Sequence, residues 1–171
     1  MPLGERLPAH LYTQSPCVPL VVVLDDIRSG NNVGAFFRTA DAFRLEALHL
    51  CGFTAHPPHR DILKTALGAT EHVPWQAHPT VRDSFQALRS SGYKIAAVEQ
   101  APGSIPLTDW QPQSSERWAM VFGNEVRGIS AETCALADVV LEIPQFGAKK
   151  SLNVSVCGGI ALWYAAQAMG R

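Results

Sequence analysis

Five apolar runs, each cut off by polar, Gly or Pro residues, constrain this chain more than any other feature. "PLVVVLDD" (Pro19 to Asp26) is continuously apolar until it ends in acids, the pattern of a strand buried on both faces. "LEALHLCG", "YKIAAVEQ", "RWAMVFGNE" and "ADVVLEIP" repeat the pattern. Helical segments fall between them, at Val33 to Arg44, His59 to Leu67, Val81 to Ser91, Ser130 to Leu136 and Leu152 to Met169. Strands alternating with helices predict an α/β fold with a mostly parallel sheet flanked by helices. In such sheets ligands bind beyond the carboxyl ends of the strands.

At 171 residues, one domain with a sizeable core is expected, with residues 1–19 as a short N-terminal extension. No apolar run reaches the roughly 18 residues of a membrane span, and the first residues lack a signal-peptide pattern, so a cytoplasmic protein is expected. Cys17, Cys51, Cys134 and Cys157 show no CxxC pairing and read as free thiols of a reducing compartment. Cys51, His56 and His59 lack a second ligand cluster, so no metal is expected. The net charge of −1 excludes a broadly basic nucleic-acid coat, and any such contact needs a local Lys/Arg cluster.

Three loops carry chemical character. "DDIRSGNNVGAFFRTADAF" (Asp25 to Phe43) offers Asn31 or Asn32 as helix cap, and free N–H groups behind it that could hold an anion. In that helix Val33, Phe36, Phe37, Ala40 and Phe43 share a stripe, and Arg38 projects from roughly the opposite side, as a solvated or a functional cation. "VFGNEVRGIS" (Val121 to Ser130) runs a strand into Gly-Asn-Glu, which fits close backbone approach to a ligand or a plain turn. In "EIPQFGAKKSLNVSVCGG" (Glu142 to Gly159) two lysines precede a helix start with Ser151 as candidate cap. Its small residues fit either a nearby ligand, the favoured reading, or close helix packing. No GxGxxG, GxxxxGK[ST] or GxSxG motif is present, which disfavours an ordinary doubly wound nucleotide enzyme.

"NNVGAFFRTADAF", "VFGNEVRGIS" and "IPQFGAKKSLNVSVCGG", in this order, resemble the three motifs of the SpoU (TrmH-like) RNA ribose methyltransferases of the SPOUT superfamily. The resemblance covers about Leu20 to Ala166. It implies a C-terminal deep trefoil knot, a homodimer, and S-adenosyl-L-methionine bound by Val98, Glu99, Gly123, Asn124, Ile143 and Leu152. It implies methylation of a ribose 2′-hydroxyl in tRNA or rRNA, and the compact architecture with its short N-terminal extension favours tRNA. Arg38 matches the family's reactive-centre arginine, and Asn32, Glu125, Ser151 and Asn153 match the polar positions that orient it. By the same resemblance the apolar last helix, with Ile160, Leu162, Trp163 and Tyr164, is an interface element, and the same stripe must partly serve the chain's own core. Asn124-Glu125-Val126 stands where relatives have Ser-Glu-Gly, and Cys157 where Ala is common. With no separate RNA-binding domain expected, RNA contacts fall to Arg28, Arg38, Arg44, Arg127, Lys149 and Lys150, diluted by Asp25, Asp26 and Asp41. A knotted RNA-binding protein without turnover is the alternative, disfavoured because the polar motif residues are all present. "KTALGATE" (Lys64 to Glu71) fits a substrate-facing loop or a structural connection.

Overall fold

Seven strands, all paired in parallel, form one sheet in a computed structural model that describes residues 8–170. In chain order the elements are β1 (Val18–Asp25), α1 (Gly30–Ala42), β2 (Leu45–Cys51), α2 (Arg60–Ala66), β3 (Trp75–His78) and α3 (Val81–Ser90). They continue as β4 (Lys94–Val98), β5 (Ile105–Pro106), β6 (Trp118–Phe122), α4 (Ala131–Ala135), β7 (Val139–Glu142) and α5 (Val154–Ala168). The sheet order β3-β2-β1-β6-β4-β7-β5 places β1 and β6 side by side at its centre.

The expected alternation is therefore present, with both faces covered. Leu20, Val22 and Leu24 join a core with residues of α1, α2 and α5, while Val21 and Val23 join a second with residues of α3. Side chains alternate across a strand, so a strand apolar at every position needs a helix layer on each side. Two strands escaped the sequence pattern. β3 reads Trp-Gln-Ala-His and lies at the sheet margin, half or fully exposed, and β5 has only two residues. Neither has an apolar run to announce it.

The helix starts also differ from expectation. Ser29, not Asn31 or Asn32, caps α1, its hydroxyl accepting from the Asn32 amide at 3.4 Å. Asn153, not Ser151, caps α5, its side-chain oxygen accepting from the amides of Ser155 (2.9 Å) and Val156 (3.3 Å). The helix begins at Val154 and leaves Ser151 and Leu152 in the approach loop.

Of the small residues of α5, Gly158 answers to packing, whereas Gly159 has open space beside it. A Cβ on Gly158 would lie 2.2 Å from a ring carbon of Phe36 on α1, and the Phe36 ring itself packs at a tilt against Phe122, with centroids 5.0 Å apart. Phe36 is fully buried and has nowhere to retreat. Close helix contact thus accounts for Gly158, against the ligand reading favoured from sequence, although Cys157 beside it does face a cavity. Gly158→Ala is expected to destabilise the fold by about 1–3 kcal/mol through overpacking, despite the roughly 1 kcal/mol it gains in helix propensity. In a Phe36→Leu background the penalty shrinks; urea melts of the four proteins test this.

Candidate active site

β1 and β6 end side by side at the centre of the carboxyl edge, and the loops that follow them must satisfy their own polar groups there. After β6 the chain turns through Gly123 to Gly128, with Gly128 N donating to Asn124 O at 2.8 Å. A Cβ on Gly123 would lie 2.5 Å from the Gly128 carbonyl, so the turn closes only with glycine at that position. The Asn124 amide nitrogen donates to the Asp26 carbonyl (2.8 Å), and its oxygen accepts from Val126 N and Arg127 N, each at 3.0 Å. From β4, Glu99 accepts from Ile129 N at 2.8 Å and braces the other side of the turn.

Glu125 stands at the tip. Its carboxylate accepts from Arg28 N (2.8 Å), Ser29 N (3.0 Å) and Asn32 Nδ2 (2.9 Å), joining the turn to the start of α1. Burial alone would push the Glu125 carboxyl up; the donated hydrogen bonds outweigh it and hold the group below its ordinary value. Asn32 in turn accepts from Asn153 Nδ2 at 3.3 Å, and Asn153 caps α5. Three loops distant in sequence thus meet at one edge through Asn32, Glu125 and Asn153.

Beside this junction lies a cavity of about 510 Å³. Val98 and Glu99 from the end of β4, Phe122 to Gly128 after β6, Leu141 to Ile143 from β7, and Lys150 to Val154 before α5 line it. All six residues predicted to hold a cofactor are on its walls, as are Glu125, Ser151 and Asn153. Gln100 and Leu141, outside the three motifs, also line it, as do Gln145, Val154 and Cys157 of the third motif, the last two within the small-residue stretch expected to lie near a ligand. Burial, with Glu99 nearby, pushes the Cys157 thiol up to about 11, so it offers a small neutral wall rather than a nucleophile.

The predicted cations separate into groups. Arg127 and Lys150 line the cavity, and Arg28, exposed, presents its amide to Glu125. Lys149, exposed, precedes Lys150 in the approach to α5. Arg127 also lies 3.6 Å from Asp26. Arg38 projects from the exposed face of α1 and is not among the cavity residues. Arg44 lies at the opposite edge, where its backbone carbonyl receives Val18 N at the start of β1. Its guanidinium packs 3.8 Å over the Tyr12 ring and donates to the Ser15 carbonyl at 2.7 Å. Arg44 is a structural cation, since α1 starts at the carboxyl edge and must end at the other.

Fold and cavity together define an α/β protein whose C-terminal segment helps to wall a cavity at the carboxyl edge of its sheet. The model of the SpoU rRNA Methylase family matches residues 19–163, and the chain belongs to that family. It is 30% identical over 145 residues to the tRNA (guanosine(18)-2′-O)-methyltransferase of Borreliella burgdorferi, covering 84% of this chain and 64% of that one. The AdoMet-bound rRNA methyltransferase from Sinorhizobium meliloti superposes with a TM-score of 0.80 at 28% identity, over 86% of this chain and 56% of that one. A protein solved in a study of the 2-OH methylation of C/U34 on tRNA gives a TM-score of 0.77 at 29% identity, over 89% of this chain and 97% of that one. The chain thus spans less than two thirds of the first two proteins and nearly all of the third.

Two carboxyls at this edge have opposite effects on stability. Burial, with Asp26 beside it, pushes Asp25 up to about 6. Its charge therefore opposes folding above that pH, and the penalty vanishes as pH falls towards 4. Asp25→Asn is expected to raise Tm at pH 7.5 by about 2–4 °C, with no gain at pH 4. Glu125, held low, stabilises the fold above its unfolded-state pKa, a contribution lost as acid protonates it. Glu125→Ala is expected to cost about 2–3 kcal/mol at pH 7, less in acid; thermal melts across pH check both signs.

Proposed function

We propose that the chain is an S-adenosyl-L-methionine-dependent methyltransferase acting on a ribose 2′-hydroxyl of RNA. The observation that carries this reading is the Asn32–Glu125–Asn153 junction at the rim of the cavity, which brings together polar residues of all three family motifs. The cavity fits the cofactor in size, within the roughly 300–1,000 Å³ of small-molecule sites. It also fits in chemistry, with apolar walls from Val98, Phe122, Leu141, Ile143 and Leu152 interleaved with polar groups such as Glu99, Asn124 and Asn153. When bound, the cofactor supplies an activated methyl group on a sulfonium.

The chain then has to position the ribose and manage charge. The attacking hydroxyl must shed its proton as it reacts. Arg38 remains a cation and assists by holding an RNA phosphate and stabilising the developing alkoxide. Glu125, through Asn32, fixes the start of the helix that carries Arg38. Asn153 and Ser151 set the approach to α5.

The functional unit in this reading is a homodimer, because Arg38 lies outside its own chain's cavity and needs a second copy to complete a site. Val156, Ile160 and Trp163 support it: they are spaced four and three apart on α5 and are 52%, 41% and 54% exposed. The C-terminal segment is read as a deep trefoil knot, since β7 inserts between β4 and β5 and the chain returns across the carboxyl edge to α5. tRNA is favoured over rRNA because a neighbour matched over nearly its whole length concerns tRNA. A cytoplasmic setting accords with four free cysteines.

Labelled S-adenosylmethionine is expected to transfer its methyl group to unmodified tRNA, giving a 2′-O-methylated nucleoside on digestion. Arg38→Ala should lower kcat by about 100-fold or more while cofactor Kd stays within twofold. Ile160→Glu should halve the mass in light scattering and abolish transfer. A methylated base instead of a ribose, or undiminished transfer by Arg38→Ala, would contradict the reading.

A further inference from the structure

The exposed face of α2 and its C-terminal turn carry a pattern that neither the cavity nor the core explains. Arg60, Leu63, Lys64 and Leu67, spaced three, one and three apart, form one solvent-facing stripe, with Leu63 47% and Leu67 68% exposed. Ile62 and Ala66, on the other side, are buried. Asp61 lies about 100° off the stripe and Glu71 beyond the helix, so the stripe itself holds two cations and no acid.

Leu67 is the sharper observation. It ends α2 in the left-handed conformation, at φ 49° and ψ 46°. Glycine takes that position without a steric penalty, whereas a branched side chain adopts it at a cost. Leu67 is mostly exposed, so it recovers little of that cost by burial within its own chain. A leucine held proud in a conformation that disfavours it points to a contact outside the chain.

The stripe also lies near the chemistry. The Thr65 hydroxyl donates to the Asn31 carbonyl at 3.1 Å, fastening α2 beside the first turns of α1. Both helices descend from the carboxyl edge on the same side of the sheet. The stripe of α2 therefore extends the exposed face of α1 that bears Asn31 and Arg38.

We infer that α2 docks the RNA strand beside the target ribose, a proposal that rests on the reading of the chain as an RNA methyltransferase. Arg60 and Lys64 hold backbone phosphates, while Leu63 and Leu67 press against an unstacked base. Charge complementarity selects RNA, and exposed leucines suit the splayed bases of a single-stranded loop. Apolar wedges between bases serve the same end in other nucleic-acid complexes.

The test uses the full chain, an in vitro-transcribed pool of unmodified tRNA, filter binding over a salt series, and steady-state methyl transfer. Arg60→Ala/Lys64→Ala is expected to weaken RNA retention at 0.15 M salt about tenfold. It should also reduce the slope of log K against log salt by about 2. Leu67→Gly should leave Tm equal or higher, raise KM for RNA about fivefold, and keep kcat and cofactor affinity within twofold. A Leu67 that served only the fold could not give stability retained with RNA affinity lost.

Wild-type transfer with both variants unchanged would overturn the α2 assignment and leave the proposed function standing. Variant losses accompanied by a change of mass in light scattering would overturn it in favour of a second copy of the chain. RNA retention that depends on α2 in a wild-type protein without methyl transfer would support the docking face and strike the catalytic reading alone.

Discussion

Everything at the carboxyl edge depends on one carboxylate. Glu125 leaves the end of β6 and accepts two backbone amides and one side-chain amide from residues at the start of α1, more than ninety positions earlier. Charge-assisted bonds of this kind are the strong ones, and a negative charge beside a helix N-terminus is further favoured by the helix dipole. Because Asn32 passes the connection to Asn153, the same group fixes where α5 begins. A loop edge that would otherwise be loose is held at both ends.

The rest of the site follows from that clamp and from two supports behind it. Asn124 spends both ends of its side chain inside the turn, tying it to Asp26 at the end of β1. Glu99 spends its carboxylate on Ile129 and on the next residue of its own chain. Two residues expected from family resemblance to touch a cofactor therefore also build the wall the cofactor would lie against. An amide side chain at position 124 has a structural use, since its nitrogen bonds the Asp26 carbonyl while its oxygen bonds the turn itself. The close approach of Gly158 to Phe36 packs α5 directly on α1, the helix that bears Arg38.

Much of this was legible in the sequence because it rests on periodicity. A strand apolar at every position reveals a sheet covered on both faces, and a stripe at 100° per residue reveals which side of α1 is buried and that Arg38 is exposed. What periodicity does not encode was missed. Ser29, Asn31 and Asn32 are all competent caps within four residues, and only the backbone path chooses among them; Ser151 and Asn153 pose the same ambiguity. β3 is polar and marginal, so no apolar run marks it. Arg44 was read by its charge alone, although the direction of α1 already placed it at the edge away from the strand ends, over the Tyr12 ring. The charge of Glu125 was legible, whereas its partners, set by long-range topology, were not.

Amide hydrogen exchange tests the clamp most directly. In the wild-type protein the amides of Arg28 and Ser29 should be protected although they lie in a loop. Glu125→Ala should release them together with residues 150–156, while residues 20–24 of β1 keep their protection. Unprotected Arg28 and Ser29 amides in the wild type, or a variant whose only change is uniform loss across the sheet, would contradict the view that Glu125 organises this edge.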